Sequence, residues 1–535
     1  MKKFHRQKRK AEAGKYWVLV LALFMLVRWN SITAPFERDE GEYAYSAWLL
    51  RNGARPYVDS FLQKPPMIVY TYALAQAIDE NSVWPPRMLA SLFSLATIVL
   101  VSLITRRDFG EKAGVAAAII LVPMLMIPPL SPFAANTEHF MLLPLMGTIA
   151  IAVIHRRDKH LWPWFLAGSL GMFSVLYKPI ALPPLLFMFI VWAIENYILS
   201  RSIINTLHQL MVAILGAEAV AAITLGYFFL TNSIGELWKT VVVFNRYYVE
   251  SYGFTFFALL RLFRLFLAQW WMLFFLTFCF FCFLPRRWWY YAGLFFTSLL
   301  SVAPAPFEHY FLLLMPFWAI LAAVSIARLA KLSNELFDPH PSNSVQTVSL
   351  YLLTFLTVGL ILWPSRGFFL LSPSQLTSTF YWGPEHPFVE SQIVGEHLKA
   401  ATKSTDKVFV AGSEAQILFY AQRRSASRFV ITFPLNIDTP LREEYQRQAI
   451  DELTTFPPAA IVLSRRATSN LWNSGSPRIF VDYLNKVLQD EYTLVGGTVW
   501  EGLSWHWQEL TDTEIPRSSS LLLFVRNKFH REGNV

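Results

Sequence analysis

APFERDEGEYAYSAWLLRNGARPYVDSFLQKPP, residues 34–66, is a polar, acidic stretch set between two apolar runs. Before it lies Tyr16 to Trp29, itself preceded at residues 2–10 by KKFHRQKRK, which carries six Lys/Arg. After it comes Met67 to Ile78, an apolar run of 12 residues that follows Lys64-Pro65-Pro66. A membrane-crossing helix needs about 20 apolar residues, so this second run is too short to span. It reads as a segment along the membrane interface, with Tyr70 and Tyr72 at headgroup level. Residues 34–84 therefore form one large external loop.

The rest of the chain supports a membrane setting. Of 535 residues, 54% are hydrophobic and only 16% charged, with a mean hydropathy of +0.37. An ordinary globular domain has roughly 25% charged residues. A soluble fold could not hide this much apolar surface. Two Cys exclude a disulfide scaffold. The basic tail, which would suggest nucleic acid in a soluble protein, here reads as a cytoplasmic anchor, so no nucleic-acid partner is expected. No small-residue cleavage site follows the first apolar run, so that run stays as the first span.

Eleven spans are expected, at 16–33, 85–105, 113–130, 140–155, 161–177, 180–199, 207–231, 262–284, 288–304, 310–327 and 347–363. With the N-terminus in the cytoplasm, the cytoplasmic segments hold 18 Lys/Arg and the external ones 10, leaving out the C-terminal domain. That bias fixes the orientation. Eleven spans then leave the C-terminus outside the cytoplasm.

From residue 364 the composition changes. Strand-like runs at 407–413, 427–432 and 459–464 alternate with helical spacing at 414–423, 443–455 and 477–490, with further short runs at 492–499 and 521–526. This predicts a small α/β domain with a mostly parallel sheet. The expected fold is thus a polytopic α-helical membrane protein with a C-terminal α/β domain. Its parts are a basic tail at 1–15, a membrane module at 16–363 and an external domain at 364–535.

The chemistry concentrates in the external loop. Glu37, Asp39, Glu40 and Glu42 sit where the chain leaves the membrane, and EYAYSAWLLRNG reads as a short helix stopped by Gly53. Its dipole keeps a carboxylate at its start ionised. Such a carboxylate serves as a helix cap or as a general base. Lys64, held by two prolines, suits a phosphate.

In this stretch the chain resembles the GT-C membrane glycosyltransferases, in the branch of the dolichyl-phosphate-mannose protein mannosyltransferases and the bacterial aminoarabinose transferases of lipid A. The matching residues are Asp39-Glu40, Tyr43 and Lys64-Pro65-Pro66. Glu138 in ANTEHF, Lys178 in YKPIAL, the run HYFLLLMPFWAILAA at 309–323 and VFVAGSEAQILFYAQRRSASRFV at 408–430 agree with it. The C-terminal domain is the most variable part of that group.

The resemblance implies transfer of a sugar from a polyprenyl-phosphate lipid to a hydroxyl of a glycan, lipid or protein outside the cytoplasm, with inversion. It makes Asp39 the general base, with Glu40 beside it. Lys64, Lys178, Arg261, Arg264 and Tyr310 become candidates for the donor phosphate. Glu138, His309 and Tyr43 become candidates for binding the acceptor or orienting the base. A cation near hydrocarbon is costly unless paired, which marks Lys178 as functional. Arg261 and Arg264 equally suit interfacial anchoring, Tyr310 an aromatic belt, and Glu138 a helix cap.

No cofactor and no metal are expected; Glu138, His139 and His309 form only a weak ligand set. Cys279 and Cys282 read as buried apolar side chains. VVVFNRYYVESY at 241–252, with Arg246 and Glu250, reads as an interfacial helix. Gly412-Ser413-Glu414, after a strand and before a helix, reads as a small anion-binding turn, without the glycine pattern of a nucleotide loop.

The expected location is a bacterial inner membrane. Two other readings stand beside the transferase: a transporter or flippase, and a sensor with an external ligand-binding domain. Transporters pair interrupted helices at matching positions, and only one interruption, at Lys178, is visible. Truncation before residue 364 discriminates: a sensor loses its function, whereas a transferase core keeps part of its activity.

Overall fold

The computed structural model describes residues 16–527, apart from 127–129, 131–132, 159, 253–255, 305–306, 338–342, 382–384, 502–503 and 512–514. The basic tail at 1–15 lies outside the described residues. The chain divides into two compact units.

The first unit gathers residues up to 32, 87–224 and 254–370. It is helical, and each of the eleven expected segments falls on a helix. Among the described residues seven helices are long and apolar enough to cross a membrane: Trp84–Phe109, Thr137–Ile154, Pro179–Ser200, Ile203–Leu230, Phe256–Phe283, Glu308–Leu336 and Ser344–Leu370. Tyr16–Arg28 is shorter, and Glu111–Met126, Trp162–Tyr177 and Trp288–Val302 have 15–16 residues. The chain is a multi-pass membrane protein.

The break at Lys178 is sharp. The Trp162–Tyr177 helix ends there with an extended backbone at φ −160°, and Pro179–Ala181 turn into the next helix. Helices in lipid associate through small residues that let backbones meet. Gly168 and Gly216 do this reciprocally. A Cβ on Gly168 would lie 1.7 Å from the Ala213 carbonyl, and one on Gly216 would lie 2.1 Å from that of Phe165.

Arg287 and Arg156, counted above as cytoplasmic charges, are tied into the helix ends. Arg287 donates to both Glu195 oxygens at 2.8 and 2.9 Å and to Asp108 at 3.2 Å, while Arg156 lies 3.7 Å from Asp108. Cys279 is buried as expected, but Cys282, one residue from the end of the same helix, is exposed.

The second unit gathers residues 33–86, 225–253 and 371–527 of those described. Its sheet has six strands: β1 Lys407–Ala411, β2 Arg424–Ser425, β3 Ala460–Ser464, β4 Tyr492–Glu501, β5 Ser504–Gln508 and β6 Leu521–Arg526. Their spatial order is β2-β1-β3-β6-β4-β5. Only β1 with β2 and β1 with β3 are parallel; β3–β6, β6–β4 and β4–β5 are antiparallel. The sheet is therefore mixed, not mostly parallel. After β3 and its helix the chain returns by hairpin-like steps, which force antiparallel pairing.

The expected strand at 427–432 is absent; the strand is two residues earlier and two long. Ser427 Oγ and the Arg428 N–H both donate to Glu452 Oε2, at 2.6 and 2.9 Å, so a side chain takes what a ladder would use. Phe429, Val430 and Ile431 remain buried. Their apolarity signals the core, not the strand.

The core packs Phe409, Ile461, Leu484, Leu494 and Leu522 from the C-terminal stretch with Phe61 from the first loop and Phe244 from 225–253. Each fully buried side chain of this kind contributes roughly 1.5–3 kcal/mol. The first loop is part of this fold. Its helix, Arg38–Arg51, lies on the Gln416–Ala421 helix, where a Cβ on Gly41 would come within 2.6 Å of the Gln416 nitrogen. The Phe36 N–H donates to Tyr420 Oη at 2.9 Å, and Tyr45 Oη donates to the Arg423 carbonyl at 3.2 Å. Met67–Gln76 is a separate short helix, held by Gln76 Nε2 donating to the Ala44 carbonyl at 2.7 Å.

Candidate functional site

In the second unit the site begins with a cap. The first-loop helix starts at Arg38, one residue before the expected acid pair, because Glu37 is its N-cap. The Glu40 N–H donates to Glu37 Oε1 at 3.1 Å, and the Glu37 N–H donates to Glu40 Oε2 at 3.3 Å. This reciprocal pair satisfies two backbone donors that a helix start leaves open. Glu40 is thereby buried in a capping role.

Asp39 has a different environment. It is 22% exposed, lies 3.8 Å from Lys64 Nζ, and accepts from Tyr43 Oη at 3.4 Å. Three sequence candidates thus converge within one loop. Beneath them Glu42 is buried, and its Oε2 has no hydrogen-bond partner among the described residues. Burial, reinforced by the Asp39 charge, pushes its carboxyl up to about 8, while Lys64 and Arg38 pull it down. Glu37 is also raised, by burial first and then by the charges of Asp39 and Glu40.

Lys64 is aimed by residues that sequence reading passed over. Tyr57 Oη donates to the Lys64 carbonyl at 2.7 Å, and Asn245 Nδ2 donates to the Gln63 carbonyl at 2.6 Å. Tyr57 adopts φ +69°, a left-handed conformation that costs a non-glycine residue about 1–3 kcal/mol. Arg428 offsets it by donating to the Tyr57 carbonyl and to Glu236, both at 2.6 Å. In the 241–252 segment Arg246 and Glu250 pair with each other on the surface at 3.1 Å. Asn245 and Phe244 are the residues of this segment that reach the loop, at the Gln63 carbonyl and the Phe61 ring.

In the first unit four more candidates meet. Glu138 stands in the first turn of the Thr137–Ile154 helix, Lys178 at the break between helices, and His309 and Tyr310 on the turn Glu308–Leu314. Lys178 Nζ forms an ion pair with Glu138 and sits 3.5 Å from the centre of the Tyr310 ring. His309 Nε2 lies 4.0 Å from Glu138. Glu138 is fully buried and Lys178 nearly so. Arg261 and Arg264 do not join this cluster; they are exposed on the Phe256–Phe283 helix.

His139 turns away from Glu138 and places Nδ1 3.2 Å from Ser94 Oγ. Among the described residues no three His, Cys, Asp or Glu side chains converge as metal ligands. In this unit two buried cations among the described residues were not singled out from sequence. Arg28 donates to Ser91 Oγ at 3.0 Å and to the Phe133 carbonyl at 3.3 Å, and Arg87 donates to the Ser31 carbonyl at 3.0 Å. An arginine at the end of an apolar run was the available signal.

The chain was compared with known proteins. The family model for dolichyl-phosphate-mannose-protein mannosyltransferase matches residues 63–223, a span that holds Lys64, Glu138 and Lys178 but not Asp39. No curated protein sequence matches the chain. Among solved structures, it is similar to ArnT from Cupriavidus metallidurans bound to undecaprenyl phosphate. The TM-score is 0.57 and the identity 13%, over 96% of this chain and 98% of that one. It is also similar to the oligosaccharyltransferase AglB of Archaeoglobus fulgidus, bound to an inhibitory peptide and a dolichol-phosphate. There the TM-score is 0.51 and the identity 12%, over 98% of this chain and 77% of that one. At these identities the likeness is one of fold alone, shared with ArnT and AglB over nearly the whole chain.

Proposed function

We propose that this protein is a membrane glycosyltransferase that moves a sugar from a polyprenyl-phosphate donor to a hydroxyl of an extracytoplasmic acceptor. The observation that carries the reading is Asp39: a partly exposed carboxylate held beside Lys64 and Tyr43 at the start of a helix, in a chain with this fold. The family match and the lipid carriers in the structures of ArnT and AglB support the donor class.

The chemistry follows from each cluster. The acceptor oxygen attacks the anomeric carbon and gives its proton to Asp39. The bond from that carbon to the phosphate oxygen breaks from the opposite side, so the configuration inverts. The lipid phosphate, a singly charged diester in the donor, departs as a monoester with one more negative charge. Preorganised cations stabilise the charge that develops there. We assign this task to Lys64, which stands beside Asp39 in the second unit; Lys178 with Tyr310 is a separate cationic cluster in the first unit and a candidate for the phosphate in its own right. Glu138 holds Lys178, and His309 stands ready to donate to a phosphate or an acceptor. Arg261 and Arg264, exposed on one helix, suit headgroup anchoring. The proposed setting is a bacterial inner membrane, with the second unit on its outer side.

A transfer assay tests this. Purified wild type and Asp39→Asn, in nanodiscs, receive a panel of radiolabelled polyprenyl-phosphate sugars and crude envelope acceptors. Label moved by wild type alone is the expected result and names the sugar. Equal transfer by the variant removes Asp39 as the base, and no transfer from any donor by folded wild type removes the reading itself.

A further inference from the structure

The first-loop helix begins with an arginine whose partners lie 375 and 376 positions further along the chain. Arg38 Nε donates to the Ser413 carbonyl at 3.1 Å, and its second terminal nitrogen donates to Glu414 Oε1 at 3.3 Å. Glu414 is fully buried. It is held in turn by Ser469 Oγ, which donates to the same oxygen at 2.5 Å and lies 2.7 Å from Ser464 Oγ. Ser413 Oγ donates to the Ser469 carbonyl at 2.7 Å.

Ser413 and Glu414 follow β1, and Ser464 ends β3. These strands are adjacent and parallel, and the chain leaves them toward opposite sides of the sheet. The carboxyl ends at such a point form a crevice that α/β sheets use to hold ligands. Here the crevice presents a carboxylate to Arg38.

A second contact lies three residues along the same helix. Gly41 meets Gln416 so closely that a Cβ would fall 2.6 Å from its nitrogen and 2.8 Å from its Cβ. Residues at i and i+3 share a helix face. The helix is therefore fixed at Arg38 and Gly41 on one face, and Asp39 stands between them, beside Lys64. A helix held at both points cannot rotate or slide without breaking one contact.

We propose that Glu414 is a positioning residue for Asp39: by holding Arg38 it lets the C-terminal domain set the aim of the base. This rests on the reading of Asp39 given above. Displacement of a catalytic group by about 1 Å can cost a factor of roughly a hundred in rate.

The test uses the full chain in nanodiscs, with Arg38→Gln, Glu414→Gln, the double variant and Val487→Ala, a small core deletion in the same domain. Each charge variant is expected to lower kcat about tenfold or more, with KM for donor and acceptor within about twofold of wild type. The double variant should be no slower than the slower single one, because both remove one contact. Val487→Ala should lower the melting midpoint and keep kcat. Amide exchange over residues 38–45 should quicken in Glu414→Gln and stay unchanged over β1 and β3. Unchanged kcat in the single variants, multiplicative losses in the double, or unchanged exchange at 38–45 overturns the proposal. Faster exchange together with full activity of Asp39→Asn overturns the base assignment instead, and leaves Glu414 as the anchor of the helix.

Discussion

Two lysine–carboxylate pairs among the candidate residues are built differently. Asp39 and Lys64 lie 3.8 Å apart on a loop, with 22% and 10% of their side chains exposed. Glu138 and Lys178 are in contact, with 0% and 7% exposed. The first pair is longer and Asp39 is its partly exposed member, while Lys64 is itself buried. The second is closed, with Tyr310 over the ammonium and Thr137 Oγ1 donating to the carboxylate at 3.1 Å. Burying two charges is costly, and removing one leaves the other uncompensated. The longer pair suits proton transfer, and the closed pair suits a fixed charge distribution that a departing phosphate meets ready-made.

The comparison can be broken by four measurements. The largest effect is expected at Asp39→Asn, which should lower the transfer rate by about a hundredfold to ten-thousandfold, the range of general-base catalysis, without changing thermal stability. A loss below tenfold would put the proton elsewhere. Next comes Lys178→Met, which should destabilise the protein by about 3–5 kcal/mol. Adding Glu138→Leu should recover most of that, whereas Lys64→Met, which breaks a longer contact to a partly exposed carboxylate, should cost less than Lys178→Met. Equal stability losses for the two lysines would erase the distinction.

The third prediction concerns pH. Glu42 lies under the longer pair, and its carboxyl is raised to about 8 in the folded protein. The folded state then keeps a proton that the unfolded chain releases near pH 4.5. Stability is fully present below that value and falls as pH rises toward about 8, by at most about 1.4 kcal/mol per pH unit. Melting curves should show the fall, and Glu42→Gln should flatten it. Lys64→Met should extend the fall to higher pH, since Lys64 holds that carboxyl down. The smallest effect is on binding: Lys64→Ala should raise the donor KM about tenfold, near 1.4 kcal/mol, and the acceptor KM by less. Equal changes would argue against a phosphate contact.

The helices were legible because apolar runs in lipid carry their own signal, and the break at Lys178-Pro179 announced itself. Asp39, Lys64 and Tyr43 were legible as neighbours in one loop, and Glu138, Lys178, His309 and Tyr310 as charges or polar groups at the ends of runs. Arg28 and Asn245 were not, because each works through a partner far along the chain; Tyr57 was not, because its aim depends on a left-handed backbone held by Arg428. The same limit explains the sheet. SWHWQ at 504–508 lacks the apolar signature of a strand and forms one by pairing with β4. Conversely FVI at 429–431 is apolar enough for a strand but runs irregularly, since Glu452 takes its neighbours' hydrogen bonds. Truncation before residue 364 also changes meaning. It would strip Phe36, Arg38, Gly41 and Tyr45 of their partners, so it should abolish transfer in the transferase as well as in a sensor.

The long separation between Arg38 and Glu414 also bears on biogenesis. The proposed base leaves the ribosome early, but Glu414, the proposed anchor of its helix, is made 376 positions after Arg38. At the usual synthesis rate of about 5–20 residues per second, the loop waits roughly 20–75 s for its partner. A nascent chain would thus carry a complete acidic loop on the outer surface without a working catalyst. Activity would switch on only when the last strands have been delivered and the domain closes over the helix. An incomplete chain, stalled or cleaved, would be silent, not promiscuous.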